Sequence, residues 1–272
     1  MISFLFWNLN RKPLQRTICR LAIRYQVDVF MFAELSFSPY ELLVQLNRLD
    51  IKQRYFFSPI IGCEKIHIFT KFSHKYIKPI DENERLTIRH LQLPGLTDIL
   101  VAINHFPSKL FMSSENQAQL CVPLIGDIQK AEEKVGHSRT ILVGDLNMNP
   151  FEDGLVGAMG LHAVNSKNVA TRNTRIVQGR TYQYFYNPMW GLFGDLSPGP
   201  PGTYYYAGAE PITLFWNIFD QVLIRPDLIN AFDNSELMII TSDGEISFIT
   251  PSGLPNGNFV SDHLPIYFKL NL

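Results

Sequence analysis

Short apolar runs ending in polar residues dominate the hydrophobic pattern of the chain. Residues 2–7 (ISFLFW) and 27–33 (VDVFMFA) read as buried strands, the first ending in Asn8-Leu9-Asn10 and the second in Glu34. Between them Pro13 opens a predicted helix to about Tyr25. Leu14, Ile18, Leu21, Ala22 and Tyr25 lie on one face, and Arg16, Arg20 and Arg24 on a solvated one. A second helix is expected over 39–49. Strands are expected near 54–60, 65–71, 75–80, 86–93 and 98–104, the last delivering His105 at its end.

Ser113 or Ser114, with Gln117 three residues beyond Ser114, caps a long helix to about Val135. Ile141, Leu142 and Val143 form another short strand, broken by Gly144 and followed by Asp145, Leu146 and Asn147. Two residues apart in extended chain, Asp145 and Asn147 would face one side and meet one group; an Asx turn closing the strand explains them equally well. A short helix is expected over 151–160, strand character resumes at 216–224 around Asp220, and a hairpin is expected over 237–249. Ser261, Asp262 and His263 precede a last strand, 264–270.

Residues 165–212 differ from the rest: Lys167, Arg172, Arg175 and Arg180 appear with no acid among them, interleaved with TYQYFYNPMW and GPPGTYYY. Such a segment suits a surface that stacks bases and contacts phosphates. It equally suits aromatics closing the end of a sandwich.

Composition narrows the picture. The 272 residues are 46% hydrophobic and 18% charged, which supplies a sizeable core and excludes disorder. A net charge of −1 gives no global attraction to a polyanion, so nucleic-acid binding would depend on local patches. Cys19, Cys63 and Cys121 show no metal-binding spacing and suggest core thiols in a reducing, cytoplasmic setting. The apolar start lacks a basic leader and is interrupted by Asn8, Asn10 and Arg11, so it reads as a strand rather than a signal peptide or membrane span.

Asn8, Asn10, Glu34, His105, Asp145, Asn147, Asp220, Asp262 and His263 recur at or beside strand termini, where a rigid scaffold holds chemistry-bearing groups. The set suits attack on a phosphorus centre. Oxygen donors without thiolates (Glu34, Asn8, Asp262) fit a hard ion, Mg²⁺ or Mn²⁺. Carboxylate and imidazoles supply proton transfer and charge neutralisation.

In order and spacing, FWNLN (6–10), FAE (32–34), NHFPS (104–108), GDLNMNP (144–150), FDQVLI (219–224) and SDHLPI (261–266) resemble the endonuclease/exonuclease/phosphatase superfamily, with its deoxyribonuclease-I-like fold. The resemblance runs along the whole chain and implies one catalytic domain, 1–272. It implies a four-layered α/β sandwich, two packed mixed β-sheets flanked by helices. By position it places the metal carboxylate on Glu34, with Asn8 and Asp262 near the metal. Asp145 matches the residue that orients or deprotonates the attacking water, and Asn147 the one that holds the scissile phosphate. His263 matches the catalytic imidazole, Asp220 the carboxylate that fixes its tautomer, and His105 a second phosphate-contacting histidine. Asn10, Arg175 and Arg180 are the expected substrate contacts.

The histidine at 105, where many apurinic endonucleases of the superfamily carry tyrosine, and the asparagine at 10, where they carry aspartate, point away from abasic-site repair. In the deoxyribonuclease branch that histidine pairs with a glutamate, and Glu64 is the nearest candidate. The implied activity is a metal-dependent nuclease acting on DNA or RNA, with no membrane and no obligate protein partner. A phosphoesterase acting on a small molecule or lipid headgroup is the alternative, and a catalytically silent binding protein the third reading.

Overall fold

The computed structural model describes residues 1–49, 54–59 and 61–272. The chain runs β1 (Ile2–Asn8), α1 (Gln15–Tyr25), β2 (Val29–Ala33), α2 (Pro39–Leu49), β3 (Phe56–Ser58), β4 (Ile66–Thr70), β5 (Ile77–Asn83), β6 (Leu86–Leu91) and β7 (Ile99–His105). It continues with α3 (Ser114–Val135), β8 (Thr140–Asp145), α4 (Asp153–Val156), β9 (Ala163–Val164), α5 (Lys167–Ala170), β10 (Thr174–Val177), β11 (Arg180–Gln183) and β12 (Phe185–Tyr186). The last elements are β13 (Tyr204–Tyr205), β14 (Trp216–Asn217), β15 (Asp220–Ile224), β16 (Met238–Ile239) and β17 (Ile266–Leu270).

Two sheets form the centre. One has the order β16-β17-β1-β2-β4-β3 and the other β5-β6-β7-β8-β15-β12-β9. Inside each lies a parallel pair, β1 with β2 and β7 with β8, flanked by antiparallel neighbours, and the second sheet ends in a short parallel pair of β12 with β9. Alternation along the strands separates three cores. Phe4, Phe6, Val29 and Met31 face Val101, Ile103, Ile141 and Val143 between the sheets. Leu5, Trp7, Phe30 and Phe32 pack under α1 and α2. Leu100, Ala102 and Leu142 pack under α3 with Cys121, Leu124 and Ile128. With both faces of each sheet covered, central strands need apolar residues at every position, which is why β1 and β2 read as unbroken apolar runs. The layer order is helices, sheet, sheet, helix: the α/β sandwich expected from the resemblance.

Several local expectations change. The strand of 141–143 continues through Gly144 to Asp145, because Gly144 pairs with both Asn104 and Gln221. A Cβ on Gly144 would lie 1.8 Å from the Asn104 carbonyl oxygen, so glycine is there for close strand approach and not to end the strand. The hairpin over 237–249 shortens to a turn at 241–248, closed by the Ser242–Ser247 bridge and the Phe248 N–H to Thr241 carbonyl bond at 2.7 Å, while β16 pairs with β17 as a sheet edge. The helix over 151–160 shrinks to α4. Ser113 caps α3, its Oγ accepting from the Asn116 N–H, while the Gln117 side chain turns elsewhere. Arg20 donates to the buried Asp243 carboxylate at 2.7 Å rather than lying free on a solvated face. Tyr184, Phe185 and Tyr186 are buried and close the end of the sandwich. All three cysteines are free and buried; burial pushes the Cys19 thiol up to about 11, although Arg20 pulls it down, and the Cys121 thiol up to about 12. Among the described residues no helix is long and apolar enough to cross a membrane.

One buried ion pair fastens α3 to the far end of β15. The fully buried Arg225 donates through Nε to Glu132 Oε1 at 2.8 Å and through a terminal nitrogen to Oε2 at 3.2 Å, and it also lies 4.1 Å from the Phe185 ring centroid. Glu132→Ala would strand a buried guanidinium, and we expect a loss of about 3–5 kcal/mol in denaturant unfolding. A loss below about 1 kcal/mol would mean that the pair does not fasten the helix.

Candidate active site

The parallel pairs end at the same edge of the sandwich. Asn8 is the last residue of β1 and is paired with Ala33, the last of β2, which Glu34 follows. His105, the last of β7, is paired with Asp145, the last of β8; Asp145 also stands opposite Asp220, the first residue of β15. Antiparallel β17 starts near this edge, and the loop leading into it carries His263. Strand direction and register alone thus gather residues from six parts of the chain.

Asp145 is the meeting point. Its Oδ2 accepts from Asn8 Nδ2 at 2.9 Å, joining the two sheets, and lies 3.7 Å from His105 Nε2 and 3.9 Å from His263 Nε2. Glu34 Oε1 approaches His105 Nε2 from the other side at 3.6 Å. His263 Nδ1 and Asp220 Oδ2 are 2.8 Å apart, which leaves Nε2 facing Asp145. Thr203 Oγ1 accepts the Phe219 and Asp220 amides at 3.1 and 3.2 Å and fixes the start of β15.

Three short turns hold these side chains, each a side-chain oxygen accepting an amide two residues on. Asp145 Oδ1 takes the Asn147 N–H at 3.0 Å, Asn8 Oδ1 takes the Asn10 N–H at 3.0 Å, and Ser261 Oγ takes the His263 N–H at 3.1 Å. The Asx turn at Asp145 and its place in the cluster are therefore both real, because the two carboxylate oxygens divide the work. Ser261 also donates to the Asn8 carbonyl at 2.7 Å, and Trp7 Nε1 donates to the His263 carbonyl at 2.9 Å. Asn10, Glu34 and Asn147 take left-handed φ values of 44°, 51° and 49°, a concentration of backbone strain at this edge.

The electrostatics are those of buried carboxylates around two imidazoles. Burial pushes the Asp220 carboxyl up to about 6, against the pull of His263. Burial alone would lower His263, but Asp220, Asp145 and Asp262 outweigh it and raise the imidazole to about 10. His105 is lowered by burial, although Asp145 and Glu34 oppose the shift. Asp262 Oδ1 and Asp220 Oδ1 are buried without a hydrogen-bond partner among the described residues. Four carboxylates (Glu34, Asp145, Asp220, Asp262) against two imidazoles leave an excess of oxygen acceptors, which fits a hard divalent cation. Ligand atoms of Asp145, Asp220 and His263 all lie within 4.8 Å of one another.

Not every expected residue joins the cluster. Asn147 donates through Nδ2 to the Phe106 carbonyl at 3.0 Å, which commits part of its amide to the loop. Glu64 is exposed, and His105 Nδ1 has no partner among the described residues, so the expected pairing of these two is not formed. Arg175 and Arg180 lie on the exposed β10–β11 hairpin, with no ion pair among the described residues and no bond to the cluster. Asp262 makes no side-chain hydrogen bond to the cluster among the described residues and acts on His263 through its charge, and Asn10 reaches the cluster through its backbone N–H.

Pattern reading gave three residues other roles and missed their support of the site. Gln117, wholly buried on α3, donates to the Pro107 and Asn147 carbonyls at 2.8 and 3.2 Å, bridging the loops after His105 and Asp145. Thr203 supports Asp220, and the Tyr204 ring lies 4.7 Å from that of His263, tilted by 41°. A Gln in register with Cys121, Leu124 and Ile128 on the apolar face of α3 was the available signal for the first. Gln117→Leu keeps the volume but leaves two carbonyls unpaired, and should destabilise by about 1–3 kcal/mol with the secondary structure retained. Unchanged stability by chemical denaturation would show that the bridge is dispensable.

No family model matches the sequence, and no curated protein does. Solved structures do match over nearly their whole length. The endonuclease domain of TRAS1, a telomere-specific non-LTR retrotransposon, is 18% identical with a TM-score of 0.52, covering 100% of this chain and 99% of that one. TDP2 of D. rerio complexed with a single-strand DNA product is 17% identical with a TM-score of 0.57, over 100% and 99%. An AP endonuclease from Archaeoglobus fulgidus is 14% identical with a TM-score of 0.56, over 100% of both chains. An endonuclease/exonuclease/phosphatase family protein from Leptotrichia buccalis is 15% identical with a TM-score of 0.54, over 100% of both. The likeness is one of fold: the chain has the deoxyribonuclease-I-like sandwich of these proteins.

Proposed function

We propose that this chain is a divalent-metal-dependent phosphodiesterase, a single catalytic domain whose substrate is DNA or RNA. The observation that carries the reading is the convergence of Asn8, His105 and His263 on one oxygen of Asp145, with His263 held by Asp220. The fold is that of the TRAS1 endonuclease domain, of an AP endonuclease and of TDP2 in complex with a single-strand DNA product.

Glu34 is the carboxylate assigned to Mg²⁺ or Mn²⁺, with Asn8 and Asp262 beside it. An ion held there would supply Lewis-acid charge withdrawal from a phosphate oxygen and stabilisation of the leaving oxygen. Asp145, its Oδ2 oriented by Asn8, positions the attacking water and accepts its proton. His263 faces the phosphate with Nε2 because Asp220 occupies Nδ1, and its positive charge neutralises the developing oxyanion. His105 contributes a second imidazole to the phosphate. The remaining N–H of Asn147 Nδ2 is a donor for the scissile phosphate. Asn10, Arg175 and Arg180 contact the strand away from the cut. Free thiols fit action in the cytoplasm.

Cleavage of end-labelled single- and double-stranded DNA and RNA, with Mg²⁺, Mn²⁺ or EDTA, tests the reading. Cutting should require the metal and fall at least about 10²-fold in Glu34→Gln, Asp145→Asn and His263→Ala. Near-wild-type rates in two of the three would sink the site. A soluble phosphate ester turned over with the same dependence, and no polymer cut, would replace the nuclease by a phosphoesterase.

A further inference from the structure

At the opposite edge of the second sheet two histidines converge on one carboxylate. His90, near the end of β6, lies with Nε2 2.8 Å from Asp98 Oδ2, and His137, just past the end of α3, lies with Nε2 3.2 Å from the same oxygen. Ligand atoms of all three are within 4.8 Å of one another. The fold dictates the meeting. Leu86 and Ile88 face α3 in the third core, and His90 continues that face to the level where α3 stops at Val135. Antiparallel pairing of Leu91 with Ile99 brings the start of β7, and Asp98 before it, to the same level. Seven residue steps along β7 separate Asp98 from His105, about 23 Å at about 3.3 Å per residue. The cluster therefore shares no residue with the proposed active site and does not depend on it.

We propose that His90, Asp98 and His137 form a second metal site, selective for a borderline first-row ion such as Zn²⁺ over the hard ions expected at the other edge. Two imidazoles and one carboxylate, with a fourth position open to water, match the donor set and count that Zn²⁺ takes in open tetrahedral sites. A tetrahedral ion at bond lengths of about 2.0–2.1 Å needs ligand atoms about 3.3 Å apart; both imidazole nitrogens lie close to that from Asp98 Oδ2, at 2.8 and 3.2 Å. The side chains of His90 and His137 are 11% and 8% exposed and that of Asp98 31%, so the site is held in place yet open to an ion. Arg139 pairs with Asp98 Oδ1 and donates through Nε to its backbone carbonyl at 2.8 Å, orienting the carboxylate while leaving Oδ2 to the ion.

Loading has a definite chemical cost. His137 Nδ1 accepts the Arg139 backbone N–H at 3.2 Å, so its proton now sits on Nε2. On binding, each ring must be neutral with N–H at Nδ1: His137 gives its Nε2 proton to solvent and takes one up at Nδ1, with no net release, His90 likewise carries its one proton at Nδ1, and the hydrogen bond from the Arg139 amide is given up. The nearby guanidinium opposes the ion, and the carboxylate it grips compensates.

EDTA-stripped protein is titrated with Zn²⁺ and Co²⁺ in the presence of excess Mg²⁺, following stoichiometry by calorimetry and the histidine rings and Arg139 amide by NMR. The expected result is one Zn²⁺ per chain at this site, moving the His90 and His137 resonances and the Arg139 amide. Binding here should survive Glu34→Gln and weaken at least tenfold in His90→Gln and in His137→Gln, both checked for native circular dichroism. The wild-type NMR result stands even if a variant misfolds. Unmoved His90 and His137 resonances at millimolar Zn²⁺, or undiminished affinity in the two folded variants, would overturn the site.

Discussion

Everything at the chemical edge of this protein depends on one buried carboxylate shared between two sheets. Asp145 sits at the end of β8 with almost no exposure, and a carboxylate so placed must be met by donors. Asn8 from the other sheet meets one oxygen and the Asn147 amide the other. The sheets are therefore locked together through the same group on which both imidazoles converge. Removing that group would loosen the alignment of the sheets as well as the chemistry.

The scaffold explains why so small a set of turns suffices. Two parallel strand pairs end together, antiparallel β15 and β17 begin there, and cross-strand register places His105, Asp145 and Asp220 side by side. Asn8, Asp145 and Ser261 then each clamp the backbone two residues on, converting a strand end into a fixed loop. Backbone strain at Asn10, Glu34 and Asn147 is tolerated because the surrounding sheet ends determine the geometry. Support from below comes from Gln117 on α3, so the long helix serves the site as well as the core.

Much of this was legible in the sequence, and for identifiable reasons. Apolar runs ending in Asn8, Glu34, His105 and Asp145 carry both the strands and the chemistry in one pattern, and the bounds of α2 and α3 follow from periodicity and capping. The sequence misled where a residue has two physical uses. Gly144 looks like a breaker, yet it is the residue that lets β7 approach β8. Tyr184, Phe185 and Tyr186 suit either a stacking surface or the closed end of a sandwich, and the structure gives them the second use. The pairing of His90, Asp98 and His137 lay beyond pattern reading, because nothing local brings together residues 8 and 39 positions apart; only strand register and the length of α3 do.

The central claim is that Asp145 and His263 act as one unit on a phosphodiester. A double-mutant cycle on single-turnover cleavage of a labelled oligonucleotide, comparing Asp145→Asn, His263→Ala and the pair, tests it most directly. The account predicts strong non-additivity, with the double variant about as slow as the slower single one. Rate losses that simply multiply would contradict it, because they would show two groups working independently.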